Sequence, residues 1–99
     1  MKLRLTRRAY NDIVNIDHYI SEVQNRPLTA KTALGKIESA LQRIEDMPLI
    51  GRVSYFPGTR ELTISGLPFC IVYRVENETV EVLTIFHESQ DPEKKSEIQ

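Results

Sequence analysis

Polar and apolar residues alternate most regularly between Thr59 and His87. Three runs rich in β-branched and aromatic residues, Thr59–Ser65, Phe69–Val75 and Val80–His87, are separated by Gly66-Leu67-Pro68 and by Glu76–Thr79. Such runs between short turn signals predict two successive hairpins. Side chains alternate faces along a strand, so each turn fixes a register. A four-residue connection Glu76–Thr79 sets Val75 opposite Val80, Tyr73 opposite Val82 and Phe69 opposite Phe86. A turn at Gly66-Leu67 sets Ile64 opposite Phe69, Leu62 opposite Ile71 and Arg60 opposite Tyr73. Both registers gather Leu62, Ile64, Phe69, Ile71, Tyr73, Val75, Val80, Val82 and Phe86 on one face, which predicts a three-stranded meander with that face as its core. The other face carries Glu61, Thr63, Ser65, Cys70, Val72, Arg74, Glu81, Leu83, Ile85 and His87. A sheet face left to water is polar throughout. Here Cys70, Val72, Leu83 and Ile85 make an apolar centre within a rim of Glu61, Arg74, Glu81 and His87, so a cover is expected: the chain's own tail, or a partner.

The pattern changes upstream. Lys2-Leu3-Arg4-Leu5 alternates and reads as a short strand, and Thr6 offers a hydroxyl to cap a helix start. Apolar residues then fall at Ala9, Ile13, Ile16, Ile20 and Val23, one stripe of an amphipathic helix. Asn25-Arg26-Pro27 ends it, and the proline suits the first turn of a second helix. Ala30, Ala33, Leu34, Ile37, Leu41, Ile44 and Met47 form the buried stripe of that helix, which stops before Pro48. Gly35 within it reads as a tolerated cost or as a close helix crossing. The short connection predicts a two-helix hairpin lying over the core face of the meander. Leu49 to Gly58, with Pro48, Gly51 and Pro57, reads as a loop that carries Arg52, Tyr55 and Phe56. The expected fold is α+β, β-α-α-β-β-β, as one domain over residues 1–91, followed by a polar, fraying tail over residues 92–99.

Composition narrows the function classes. Ninety-nine residues make one core, not two. No apolar stretch is long enough to span a bilayer, and the start lacks the apolar centre of a signal peptide. The single cysteine allows no internal disulfide and no metal cluster, so a cytosolic protein is the default expectation; separately, no cofactor is implied. A net charge of -1 argues against indiscriminate nucleic-acid binding, although Lys2, Arg4, Arg7 and Arg8 leave room for a local basic patch. No nucleophile–base pair, phosphate-cradling loop or metal-ligand spacing is visible. His18 reads as a surface residue and Cys70 as a small packed one. Arg74 stands opposite Glu81, which suits a cross-strand ion pair, and Arg60 can pair across the sheet edge in the same way. His87 closes the last strand beside Arg74, and a histidine there could act as acid or base.

The segments Gly58-Thr59-Arg60-Glu61-Leu62, Gly66-Leu67-Pro68-Phe69, Val72-Tyr73-Arg74-Val75 and Phe86-His87 closely resemble the RelE/ParE toxins of bacterial toxin–antitoxin pairs. Thr6-Arg7-Arg8-Ala9, Asp12-Ile13, Ile16 and Tyr19-Ile20 match the opening of the same family, so the resemblance runs from Lys2 to about Asp91. It implies two different activities. RelE-like members cut messenger RNA on the ribosome, a role for which Arg60, Arg74 and His87 are the candidate catalytic residues. ParE-like members inhibit DNA gyrase and have no recognised catalytic set. The Thr-Arg-Glu-Leu and Tyr-Arg-Val segments resemble the ParE branch, and the weak net charge suits it better, so gyrase inhibition is the favoured expectation. A toxin fold kept as an inactive binding module is a third. The resemblance also implies a small antitoxin whose segment folds along the toxin. Its expected contacts are the surface bearing Tyr10, Val14 and Tyr19 and the apolar centre Cys70, Val72, Leu83 and Ile85.

Overall fold

The β-branched and aromatic runs form the sheet they predict. In the computed structural model, which describes residues 1–90, β3 (Arg60–Thr63), β4 (Phe69–Glu76) and β5 (Thr79–His87) are successive antiparallel neighbours. The expected tail over residues 92–99 lies outside the described residues. Ahead of these strands come β1 (Lys2–Leu5), α1 (Arg7–His18), α2 (Pro27–Asp46) and a two-residue β2 (Arg52–Val53). The strand order is β1-β5-β4-β3-β2, with β1 parallel to β5. The segment expected to be entirely loop therefore contributes an edge strand. Its pairing sets Arg52 against Glu61, where the Arg52 Nε donates to Glu61 Oε1 at 2.6 Å and Ser54 Oγ donates to Oε2 at 3.1 Å. Glu61, expected on an exposed rim, is thus buried, with both oxygens bonded. That is how a carboxylate is accommodated away from water.

The β3–β4 register is the expected one: Arg60 faces Tyr73, Leu62 faces Ile71, and Ile64 N–H donates to Phe69 C=O at 2.9 Å. The β4–β5 register is right only at the turn end. Val75 faces Val80 and Tyr73 faces Val82, but a bulge then leaves Leu83 as an extra residue on β5. Beyond it Ile71 meets Ile85, Cys70 meets Phe86 and Phe69 meets His87. One extra residue moves every later side chain to the other face. Ile85, expected on the outer face, is buried in the core, and Phe86, expected in the core, lies opposite Cys70 outside it. His87 changes face with Ile85. The turn is also tighter than four residues: Glu76 pairs with Thr79, leaving Asn77 and Glu78 at φ 51° and 62°. Two positive-φ residues match the right-handed twist of a two-residue hairpin.

The helices cover the core face. Thr6 caps α1, its Oγ1 accepting from Ala9 N–H at 3.1 Å. Ala9 and Ile16 from α1 and Ile37, Ala40 and Ile44 from α2 pack on Ile64, Ile71, Tyr73, Val80, Val82 and Ile85. After His18 the helix widens into a π-helical turn, Tyr19–Val23, and Asn25 at φ 54° reverses the chain. Pro27 opens α2. Gly35 approaches nothing, since a Cβ there would meet no atom within 4 Å; the close crossing is not made. Met47, expected in the buried stripe, follows the last residue of α2 and is 54% exposed.

One residue ties the helix exit to the sheet. Tyr73, wholly buried, donates its hydroxyl to Pro48 C=O at 2.7 Å and accepts from Gly51 N–H at 2.9 Å. Arg60, its cross-strand partner, donates to Gly51 C=O at 2.8 Å. A Cβ on Gly51 would lie 2.7 Å from the Tyr73 hydroxyl and 2.8 Å from Glu61 C=O, so only glycine fits there without displacement.

Candidate functional site

The resemblance directs attention to two groups of residues, and the fold treats them differently. Arg60 is engaged with Gly51 C=O, as above. Arg74 lies across from Glu81; its Nε donates to Oε1 at 2.9 Å and its Nη2 lies 2.7 Å from the same oxygen. Arg4 from β1 holds the other oxygen of Glu81, so one carboxylate ties three strands. The hydrogen bonds from Arg4 and then Arg74 hold the Glu81 carboxyl below its ordinary value of 4.5. Arg4 is therefore drawn out of the expected basic patch.

His87 sits elsewhere. Its cross-strand partner is Phe69, five residues from Arg74 along β4, a separation of about 16 Å at the usual strand rise. Arg60, Arg74 and His87 are thus not gathered into one constellation. The His87 ring packs edge-on against Phe69 at 5.4 Å. Its Nδ1 accepts from Ser89 N–H at 3.0 Å and lies 2.8 Å from Ser89 Oγ. That leaves Nε2 as the protonated nitrogen of the neutral ring.

His87 lines a cleft of about 730 Å³ between the first helix and the end of the sheet. One wall is Asp12, Asn15, Ile16, Tyr19, Ile20 and Gln24; the other is Leu67, Pro68, Phe69, Ile85, Phe86, His87 and Ser89. Asp12 is the member that sequence reasoning missed. Its Oδ2 accepts from Thr84 Oγ1 at 2.7 Å and from Ile85 N–H at 3.0 Å. A signal existed: Asp12 falls three residues after Ala9 and four before Ile16, beside the buried stripe, where a carboxylate needs a partner. The π-helical turn also borders this cleft, and such turns recur at functional sites.

The expected partner contacts divide sharply. Tyr10, Val14 and Tyr19 are 60%, 45% and 54% exposed, and Val23 continues them onto the π-helical turn. Cys70, Val72 and Ile85 are buried and Leu83 is half-buried, so the second expected patch is largely closed. A further exposed apolar group, Leu49, Val53, Tyr55 and Phe56, lies at the opposite edge of the sheet around β2, with the two rings packed edge to face at 5.7 Å.

A helical hairpin on a mixed sheet, with this sequence pattern, matches known proteins along most of its length. The family described as "ParE toxin of type II toxin-antitoxin system, parDE" matches residues 3–92. The chain belongs to the ParE toxin family. A Sinorhizobium fredii (strain NBRC 101917 / NGR234) protein bearing the name "Putative toxin Y4kP" is 32% identical over 89 residues, 90% of each chain. The "Chromosomal ParDE TA system from P. aeruginosa" contains a chain 31% identical, with a TM-score of 0.77 over 88% of this chain and 95% of that one. The intact E. coli RelBE complex aligns at a TM-score of 0.65 with 14% identity, over 87% of this chain and 94% of that one, a likeness of fold alone. As a ParE-family protein, the chain is a toxin of the type II toxin–antitoxin class. None of its described helices is long and apolar enough to cross a membrane.

Proposed function

We propose that this ParE-family toxin arrests growth in the cytoplasm by docking on DNA gyrase, and that a cognate antitoxin neutralises it by covering Tyr10, Val14 and Tyr19. The observation that carries the first half is the state of the arginines. Arg60 and Arg74 are committed to Gly51 and Glu81, and His87 stands about 16 Å from Arg74 along the strand. A phosphodiester-cleaving site needs its cations free and its proton donor within reach of the same bond. A docking surface needs neither, and exposed apolar groups such as Leu49, Val53, Tyr55 and Phe56 suit one. The antitoxin half rests on the exposed first helix and on the paired systems named for the structural relatives.

The test is growth arrest at matched expression, followed by gyrase supercoiling and ribosome-dependent messenger cleavage with purified toxin. The parent protein inhibits supercoiling and leaves messenger intact, and His87→Gln is as toxic as the parent. A folded His87→Gln protein that no longer stops growth, beside a parent that spares gyrase, assigns the RelE-like cleavage instead. A parent harmless to cells leaves the binding module.

A further inference from the structure

The last strand has two different halves. β1 accompanies β5 only as far as the Leu5–Val82 pair, and the chain then leaves the sheet to begin α1. From Leu83 to His87 the strand has β4 on one side and, among the described residues, no strand on the other. Groups from the helix side stand in for a neighbour at first. Thr6 Oγ1 donates to Leu83 C=O at 3.0 Å, and Asp12 accepts from Ile85 N–H. Backbone groups alternate sides along a strand, so Ile85 and His87 both face the open edge; Glu88 N–H, bonded to Pro68 C=O at 2.9 Å, faces the other way.

That open edge is one wall of the 730 Å³ cleft. Ile16, Ile20 and Phe69 give the cleft an apolar interior, and His87, its Nδ1 occupied by Ser89, keeps Nε2–H for an acceptor that enters. Among the described residues no lysine or arginine lines the cleft, and Asp12 adds negative charge, which opposes a phosphate backbone. A strand edge that has no neighbouring strand among the described residues, beside an apolar groove, is the geometry of strand addition.

We infer that this cleft takes an extended, apolar segment of the antitoxin, added to the sheet as a strand alongside Ile85–His87. One of its side chains enters between Ile16, Ile20 and Phe69, and one of its acceptors meets His87 Nε2–H. The inference rests on the toxin–antitoxin pairing proposed above and extends it to a site distinct from the exposed stripe on the first helix.

Amide hydrogen exchange on the free toxin and on the complex obtained by co-expressing toxin and antitoxin tests it. The His87 amide exchanges freely in the free toxin and roughly tenfold or more slowly in the complex. Asn15→Trp, which fills the cleft from its exposed wall, weakens the complex roughly tenfold while the thermal midpoint of the toxin is kept. A complex that forms normally with Asn15→Trp and leaves His87 exchange unchanged overturns the strand addition and spares the pairing. So does a His87 amide already protected in the free toxin. Failure of any complex to form removes the pairing and the inference together. Protection of His87 by single-stranded RNA in place of the antitoxin reassigns the cleft to nucleic acid.

Discussion

Tyr73 and Gly51 show how much a single residue decides here. The tyrosine hydroxyl is both donor and acceptor to the loop that follows α2, within the core. Tyr73→Phe removes both bonds and strands a half-buried carbonyl and a buried amide, at an expected cost of about 1–3 kcal/mol in a denaturant titration. Gly51→Ala drives a methyl group into the same hydroxyl and into Glu61 C=O, and the expected loss is again about 1–3 kcal/mol. Glu81 gives a test with a sign. Its carboxyl is held low in the fold by Arg4 and Arg74, so the unfolded chain binds the proton more readily. The stabilisation is full above the unfolded value near 4.5 and fades as pH falls through the lower folded value. Urea midpoints of the parent and of Glu81→Gln should therefore differ at pH 7 and converge as the pH falls below 4.5 and through the lower folded value. The Arg74–Glu81 pair was legible because two residues directly opposite are fixed by the turn alone. The bonds made by Tyr73 and Asp12 were not, since their partners lie 25 and 72 residues away in sequence.

At the scale of elements, hydropathy located nearly everything and misjudged one strand. A bulge costs one residue and leaves no mark on an alternating pattern, because Val80, Val82, Leu83, Ile85 and Phe86 supply apolar side chains in either register. The consequence was largest at the far end, where Ile85 and His87 exchanged faces with Phe86. Truncating Ile71, fully buried against Leu62 and Ile85, to alanine should cost about 2–5 kcal/mol, and half-buried Leu62→Ala less. The opposite result, a larger loss at Leu62, would place the centre of the core elsewhere. The hairpin turn offers a gain. Glu78 holds φ 62°, a conformation that costs a residue with a Cβ about 1–2 kcal/mol, so Glu78→Gly should raise the thermal midpoint. β2 escaped notice because two residues carry no period; its signal was the buried Glu61 waiting for Arg52.

Across the whole molecule, the exposed apolar groups lie at both margins of the sheet, along the first helix near β5 and around β2. Two margins allow antitoxin and target to be met by different surfaces. Paired substitutions at Tyr10 and Val14 should weaken antitoxin rescue while toxicity persists, whereas Val53 and Phe56 should weaken toxicity, both read from growth curves at matched expression. The fold class was legible because a helical hairpin and a meander are written in local periods. Exposure was only half legible, since burial of Cys70, Val72 and Ile85 depends on packing that no local window contains. The parallel pairing of β1 with β5 has a consequence for synthesis. Lys2 and Thr79 are 77 positions apart, so among the described strands the first has no neighbour until β5 is made. Contacts closed over such a distance form late and slowly. A nascent copy whose β5 has not yet left the ribosome therefore lacks the finished sheet, and the poison cannot be assembled before that strand emerges.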